Sequence, residues 1–260
     1  MTGRMHQDSN TIPECRTVDI LGIRISDVTL KETLGYLEAM AVSGKPHHVM
    51  TVNPEFVMMA RESAEFRSVL SRAALTIPDG IGIVWAARIL GTPLRERVAG
   101  VDTVNQFAAI AAGRGFRIFL LGAAPGVAEK VAERLERENP GLKIAGTYAG
   151  SPRPSEEDEI CEKILKAKPH VLLVAYGPPR QDLWIARTME RLRIPVAIGV
   201  GGTFDFIAGV VPRAPSWMQK AGLEWLFRLM QEPRRWKRML TLPRFVGVVL
   251  SRKAGLSHAR

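Results

Sequence analysis

The chain predicts an α/β fold: a Rossmann-like, mainly parallel sheet flanked by helices, with a helical basic C-terminal appendage. Three observations lead there. Short apolar runs at 117–121, 170–175 and 195–200 each end in a glycine-bearing turn, and the first two turns lead into helical patterns, the alternation of a doubly wound sheet. A hydrophobic content of 46% over 260 residues, with mean hydropathy +0.01, suits one globular domain or one domain plus an appendage. The net charge of +10 is uneven: from Arg213 onward eleven basic residues face two acidic ones, leaving 25 basic against 24 acidic before it. The expected divisions are a disordered N-terminus at 1–16, an α/β domain at 17–212 and a helical membrane-associating appendage at 213–260.

Thr17 to Ile25 reads as two strands around a turn at Gly22. Thr29 with Glu32 forms a capping box for a helix to about Val42, and His47 and His48 lead into a strand ending near Val52. Neither histidine has a partner cluster, so both read as ordinary strand-end residues. Pro54 opens a helix to about Arg72, and Leu75 to Ile77 is a short strand before the turn Pro78-Asp79-Gly80. A helix then runs from Ile81 to about Leu90, and Gly91 and Pro93 end it. Arg95 and Arg97 lie in the following loop as candidate anion grips, and Asp102 reads as the cap of a helix to about Ala112.

After Gly115 the strand and helix units repeat. The strand at Arg117 to Leu121 turns through Gly122 to Gly126 into a helix at Val127 to Glu138, a phosphate-accepting geometry. The turn lacks the Gly-x-Gly-x-x-Gly spacing, and the next strand, Lys143 to Thr147, has no terminal acid for an adenosine ribose, which disfavours NAD. Ser155 and Asp158 read as caps of the next helix. The strand at His170 to Ala175 ends in Tyr176 and Gly177 before a helix that carries Arg180 and Gln181 at its start, where a doubly wound sheet places ligands. The last strand, Pro195 to Val200, enters the turn at Gly199 to Gly202, followed by Thr203 and Asp205; so dense a glycine run means close approach of a ligand or tight packing. Ser216, Pro233 and Pro243 read as starts of three tail helices, with Trp217, Trp225 and Trp236 interleaved among the basic residues. That mixture fits a helix lying on an anionic membrane surface, or an apolar face docked on the protein's own body or a partner subunit.

The chemistry centres on Thr51 to Gly82. Thr51 and Asn53 are the polar side chains at a strand edge, and Asp79 is the one carboxylate of its glycine-flanked turn. Asp79 reads either as a helix cap or as a proton-accepting base. No two aspartates stand two apart, so the Asp-x-Asp metal grip of many nucleotide-sugar transferases is missing and arginines are the expected clamp. Cys15 and Cys161 lack metal-ligand spacing and suggest a reducing cytosol. The polar Met1 to Asn10 is not a signal peptide, and no apolar run is long enough to span a bilayer. An isoelectric point near 10.1 on its own suggests nucleic acid, but a nearly neutral body with a tryptophan-rich tail argues against it.

The combination Thr51-Val52-Asn53-Pro54, Ile77-Pro78-Asp79-Gly80, Glu96-Arg97-Val98-Ala99-Gly100, Gly177-Pro178-Pro179-Arg180-Gln181, Gly201-Gly202-Thr203-Phe204-Asp205, Arg213-Ala214-Pro215 and Glu224-Trp225 to Arg238 resembles the WecG/TagA/CpsF family of bacterial glycosyltransferases over roughly residues 17 to 240. The resemblance implies transfer from a UDP-sugar, with inversion, to a sugar on undecaprenyl diphosphate at the cytoplasmic membrane face, in cell-surface polysaccharide or teichoic acid synthesis. It implies Asp79 as base, with Thr51, Asn53, Arg97 and Gln181 lining the pocket and Arg228, Arg235 and Arg238 contributed by the appendage. Where the family usually reads Lys-Gln-Glu this chain has Arg180-Gln181-Asp182. The nucleotide is expected against Gly122, Gly126, Tyr176, Gly177, Gly201, Gly202 and Asp205, without a metal or cofactor. The expected partners are the UDP-sugar, a polyprenyl-diphosphate-linked acceptor and the anionic membrane surface, with a homo-oligomer left open and no nucleic acid.

Overall fold

A computed structural model describes residue 12, residues 14–233 and residues 236–255. Strands β1 (Thr17–Ile20) and β2 (Ile23–Ser26) form an antiparallel hairpin whose turn is held by the Gly22 N–H donating to Asp19. The main sheet is parallel throughout and contains β3 (His47–Val52), β4 (Leu75–Pro78), β5 (Arg117–Gly122), β6 (Lys143–Tyr148), β7 (Val171–Ala175) and β8 (Val196–Gly199) in the order β4-β3-β8-β7-β5-β6. The Rossmann-like expectation holds.

Residues along each central strand alternate between two faces. Val49, Ile118, Leu120, Val171, Leu173, Val196 and Ile198 enter one core, while Met50, Phe119, Leu121, Leu172, Val174 and Ala197 enter cores on the other side. Burial on both faces is why these runs are almost uninterruptedly apolar. Ile12 and Cys15, at the end of the stretch expected to be disordered, pack against the first core; residues 1–11 and 13 lie outside the described residues.

Helix α1 (Leu30–Ser43) starts with the expected reciprocal Thr29–Glu32 capping box and stops at the left-handed Gly44. The single helix expected over 54–72 is two, α2 (Pro54–Glu62) and α3 (Ala64–Arg72). Ser63 breaks it in extended backbone and uses its hydroxyl to accept from the Phe66 N–H, a cap mid-pattern that apolar periodicity does not register. Then come α4 (Ile81–Leu90) and α5 (Gly100–Arg114). α5 begins at Gly100, so Asp102 sits inside its first turn and is not its cap. α6 (Val127–Glu138) and α7 (Glu157–Ala167) follow; α7 is entered through a 3-10 turn at Pro154–Glu156, without a side-chain cap from Ser155 or Asp158. α8 (Arg180–Leu192) and the short α9 (Thr203–Ile207) complete the body.

The tail contains α10 (Ser216–Lys220), α11 (Glu224–Gln231), α12 (Trp236–Met239) and α13 (Thr241–Lys253). The helix expected from Ser216 to Gln231 is divided by Gly222, whose φ of +74° favours glycine and whose added Cβ would lie 2.9 Å from Ile81. α13 docks on α2 and α4, with Phe245 and Val249 fully buried in the second core. Part of the tail's apolar surface therefore covers the body. Trp217, Trp225, Met230, Trp236 and Leu240 stay exposed.

Candidate active site

The C-terminal ends of β3, β4, β7 and β8 and the turn after β5 meet at one edge of the sheet, and the tail helices arch over it. The result is a cavity of about 450 Å³. Ligands of open α/β sheets occupy this edge.

Asp79 follows β4 at the cavity floor. The cap of α4 is Gly80, with no side-chain cap bond, so the capping alternative for Asp79 on its own helix fails. Its carboxylate accepts from the Gly100 N–H at the start of α5. Burial pushes Asp79 up from its ordinary 3.8 to about 6, with Glu224 and Asp102 adding to the rise and Arg97 and the Gly100 bond opposing it. A Cβ on Gly100 would stand 3.2 Å from Thr203 Oγ1 and 3.7 Å from Asp79 Oδ2. The glycine lets those groups converge.

Thr51 and Asn53 line the cavity but also work as scaffold. Thr51 donates to the Gly199 carbonyl at 2.9 Å, tying β3 to β8, and Asn53 Oδ1 accepts from Glu55 and Phe56 N–H at 2.9 and 3.3 Å as the cap of α2. Gln181 is buried; its amide oxygen accepts from Gly177 and Gly201 N–H at 3.0 and 2.9 Å, joining the turns after β7 and β8. Asp182 points away from the cavity, fully buried, with Oδ1 at 3.2 Å from His48 Nε2. Burial raises its pKa, and the His48 bond is the main opposing influence. His48 is thus a core partner of Asp182, which its strand position alone did not reveal.

Gly199 lies over this pair: an added Cβ would be 2.5 Å from both Asp182 Oδ1 and Gln181 Nε2. Gly199→Ala is therefore expected to destabilise the protein by about 1–3 kcal/mol in urea unfolding, through overpacking of a buried polar cluster. An unchanged midpoint would mean the cluster yields freely.

Arginines frame the cavity. Arg97 Nη1 is 3.2 Å from Glu224 Oε2. Arg213 holds Asp102 with two bonds, 2.6 and 2.9 Å, and Glu224 at 3.2 Å. Arg228 lies against the Gly202 backbone, stacks on Phe206 at 4.6 Å and approaches Asp205 to 3.7 Å. Arg238 pairs with Glu55 at the start of α2. Arg235 lies outside the described residues, and Arg228 and Arg238 reach the cavity on separate helices, α11 and α12.

Tyr176, Gly177, Gly201, Gly202 and Asp205 line the cavity. Gly122 and Gly126 do not; the turn after β5 contributes Ala123 and Ala124. Gly122 is required for another reason, since its Cβ would lie 2.9 Å from the Ala175 carbonyl carbon at φ +100°. Arg95 is also elsewhere, pairing with Glu32 and Asp27. Among the described residues no group of three His, Cys, Asp or Glu side chains stands together as metal donors.

The family model described as Glycosyl transferase WecG/TagA/CpsF family matches residues 18–259. The chain belongs to this glycosyltransferase family. It is 36% identical over 225 residues, 86% of this chain and 87% of the relative, to the N-acetylglucosaminyldiphosphoundecaprenol N-acetyl-beta-D-mannosaminyltransferase of Bacillus spizizenii. The Bacillus subtilis protein of that name is 36% identical over 236 residues, covering 90% and 91%. The one from Staphylococcus aureus strain MW2 is 26% identical over 245 residues, covering 94% and 96%. The side chains at or beside the cavity that the motifs did not single out as site residues are Glu55, Asp102, Arg213 and Glu224. Arg213 and Glu224 stood in quoted motifs, yet their partners are too distant in sequence to be read from spacing. No helix is long and apolar enough to cross a membrane among the described residues.

Proposed function

We propose that this protein transfers an N-acetylmannosamine-like hexose from a UDP-sugar to a sugar carried on undecaprenyl diphosphate, inverting the anomeric carbon. The observation that carries this reading is Asp79: not engaged in capping α4, raised to about 6, and sharing one cavity with Arg97, Arg213, Arg228 and Arg238. The acceptor hydroxyl oxygen bonds to the anomeric carbon as Asp79 takes its proton. The bond from that carbon to the diphosphate oxygen breaks, and the electron pair leaves with UDP. Negative charge develops on the diphosphate, where fixed guanidinium groups stabilise it most if they are already in place. A single displacement of this kind inverts the configuration. With its pKa near 6, Asp79 is ionised at neutral pH yet basic enough to accept a proton as the nucleophile commits.

The relatives' names support a diphosphoundecaprenol-linked acceptor. A product of that kind suits cell-surface polysaccharide or teichoic acid synthesis at the inner membrane face. Incubation with a panel of UDP-sugars and a prenyl-diphosphate-linked N-acetylglucosamine, reading UDP release and product mass, tests the reading. Acceptor-dependent UDP release with a mass gain of one hexosamine is expected. UDP release that ignores the acceptor, or none with any donor, overturns it.

Membrane contact is proposed to run through the exposed Trp217, Met230 and Leu240 with neighbouring basic residues. Replacing Trp217 and Met230 by Ser is expected to weaken binding to anionic vesicles about tenfold or more by lost apolar burial. Turnover of a water-soluble short-chain acceptor should be unchanged. Duplex DNA at equal salt serves as the control, and binding there that exceeds vesicle binding would favour a nucleic-acid partner instead.

A further inference from the structure

Glu224, in the first turn of α11, stands where three segments meet. Its Oε2 accepts from Arg97 Nη1 and its Oε1 from Arg213 Nε, each at 3.2 Å. Arg213 turns its remaining nitrogens onto both oxygens of Asp102 in the first turn of α5. That same helix supplies the Gly100 N–H to Asp79. One carboxylate thereby joins the tail, the loop before α5 and the α5 terminus around the floor of the cavity.

Two guanidinium groups placed on one wall repel each other and turn freely unless an anion sits between them. A glutamine there would offer one acceptor oxygen without charge. We propose that Glu224 is a positioning residue for the transfer step, holding Arg97 in place as the diphosphate-facing cation and, through Arg213, latching the tail over Asp79. This rests on the transfer reading above. Glu224 reaches no reacting atom; it acts through the two arginines.

The groups facing Asp79 are Arg97, Glu224, Asp102 and the Gly100 N–H. Facing Glu224 are Arg97 and Arg213, while Arg228 on its own helix is engaged with Asp205 and Glu232. Removing the Glu224 charge leaves Arg97 less opposed, so Asp79 becomes a weaker base. An exposed ion pair of purely structural use would not change that basicity.

The test compares wild type, Glu224→Gln and Glu224→Asp in acceptor-dependent UDP release across pH. For Glu224→Gln the acid limb of kcat/KM should move to lower pH by about half to one unit, with kcat at pH 8 reduced about tenfold or more and donor KM not raised. Glu224→Asp keeps the charge, so its limb should stay at the wild-type position while the shorter arm lowers kcat. An unmoved limb in Glu224→Gln, a kcat within about twofold of wild type, or equal limb displacement in both variants overturns the proposal. If Glu224→Gln yields no folded protein, Glu224→Asp decides alone: a kcat reduced about fivefold or more with the limb in place supports it, and any other result overturns it. Failure of wild type to release UDP with any acceptor would instead remove the transfer reading itself.

Discussion

Asp79→Asn is expected to lower kcat by about 10²–10⁴-fold, the range for losing a general base, with UDP affinity unchanged within a few fold. The same variant should be more stable than wild type at pH 8. Burial lifts Asp79 from 3.8 to about 6 in the folded protein. Below the unfolded value the carboxyl is protonated in both states and the group contributes its full relative stability. As pH rises through 3.8 to 6 the unfolded chain gives up the proton first, and above 6 the folded protein carries the whole cost of the buried charge. An uncharged amide of the same shape avoids that cost, a gain of up to about 3 kcal/mol at pH 8 that disappears below about pH 4. Thermal melts of both proteins at pH 8 and pH 4 check the sign. A variant less stable at pH 8, with turnover preserved, would show that the carboxylate serves the fold and not the reaction.

Phe245→Ala should cost about 3–5 kcal/mol of unfolding free energy, the usual penalty for emptying a large aromatic site in a core. Phe245 is 1% exposed and belongs to α13, which seats the tail on α2 and α4. The consequence reaches the cavity, because Arg238 lies on α12, which packs against α13, and pairs there with Glu55. Activity is therefore expected to fall by more than the loss of folded protein accounts for. Urea unfolding followed by fluorescence gives the first quantity, and UDP release per folded molecule the second. Full specific activity in a folded but destabilised Phe245→Ala protein would separate the tail's seat from the site.

Local signals in the sequence were reliable where the physics is local. The Thr29–Glu32 capping box, the turn at Gly22 and the apolar strands all formed as their residues predicted. Single residues that interrupt a helix were harder to see: Ser63 divides α2 from α3 by capping, and Gly222, in the left-handed conformation, divides α10 from α11. The site was legible as a set of motifs, yet the pairs that define its electrostatics lie 111 and 127 residues apart, Asp102 with Arg213 and Arg97 with Glu224. Spacing rules do not reach that far. Asp79 is the instructive case, since a cap and a base have the same local sequence. Gly80, and not Asp79, proves to be the cap of α4, which removes the first reading on its own helix.

Proton transfer from the acceptor to Asp79 within the arginine-framed cavity is read in the pH dependence of kcat/KM for acceptor-dependent UDP release. The rate should rise with pH through a single ionisation near 6 and then level off, with that ionisation absent from the residual activity of Asp79→Asn. A wild-type profile flat from pH 5 to 8, or an ionisation near 6 that persists in Asp79→Asn, would contradict it.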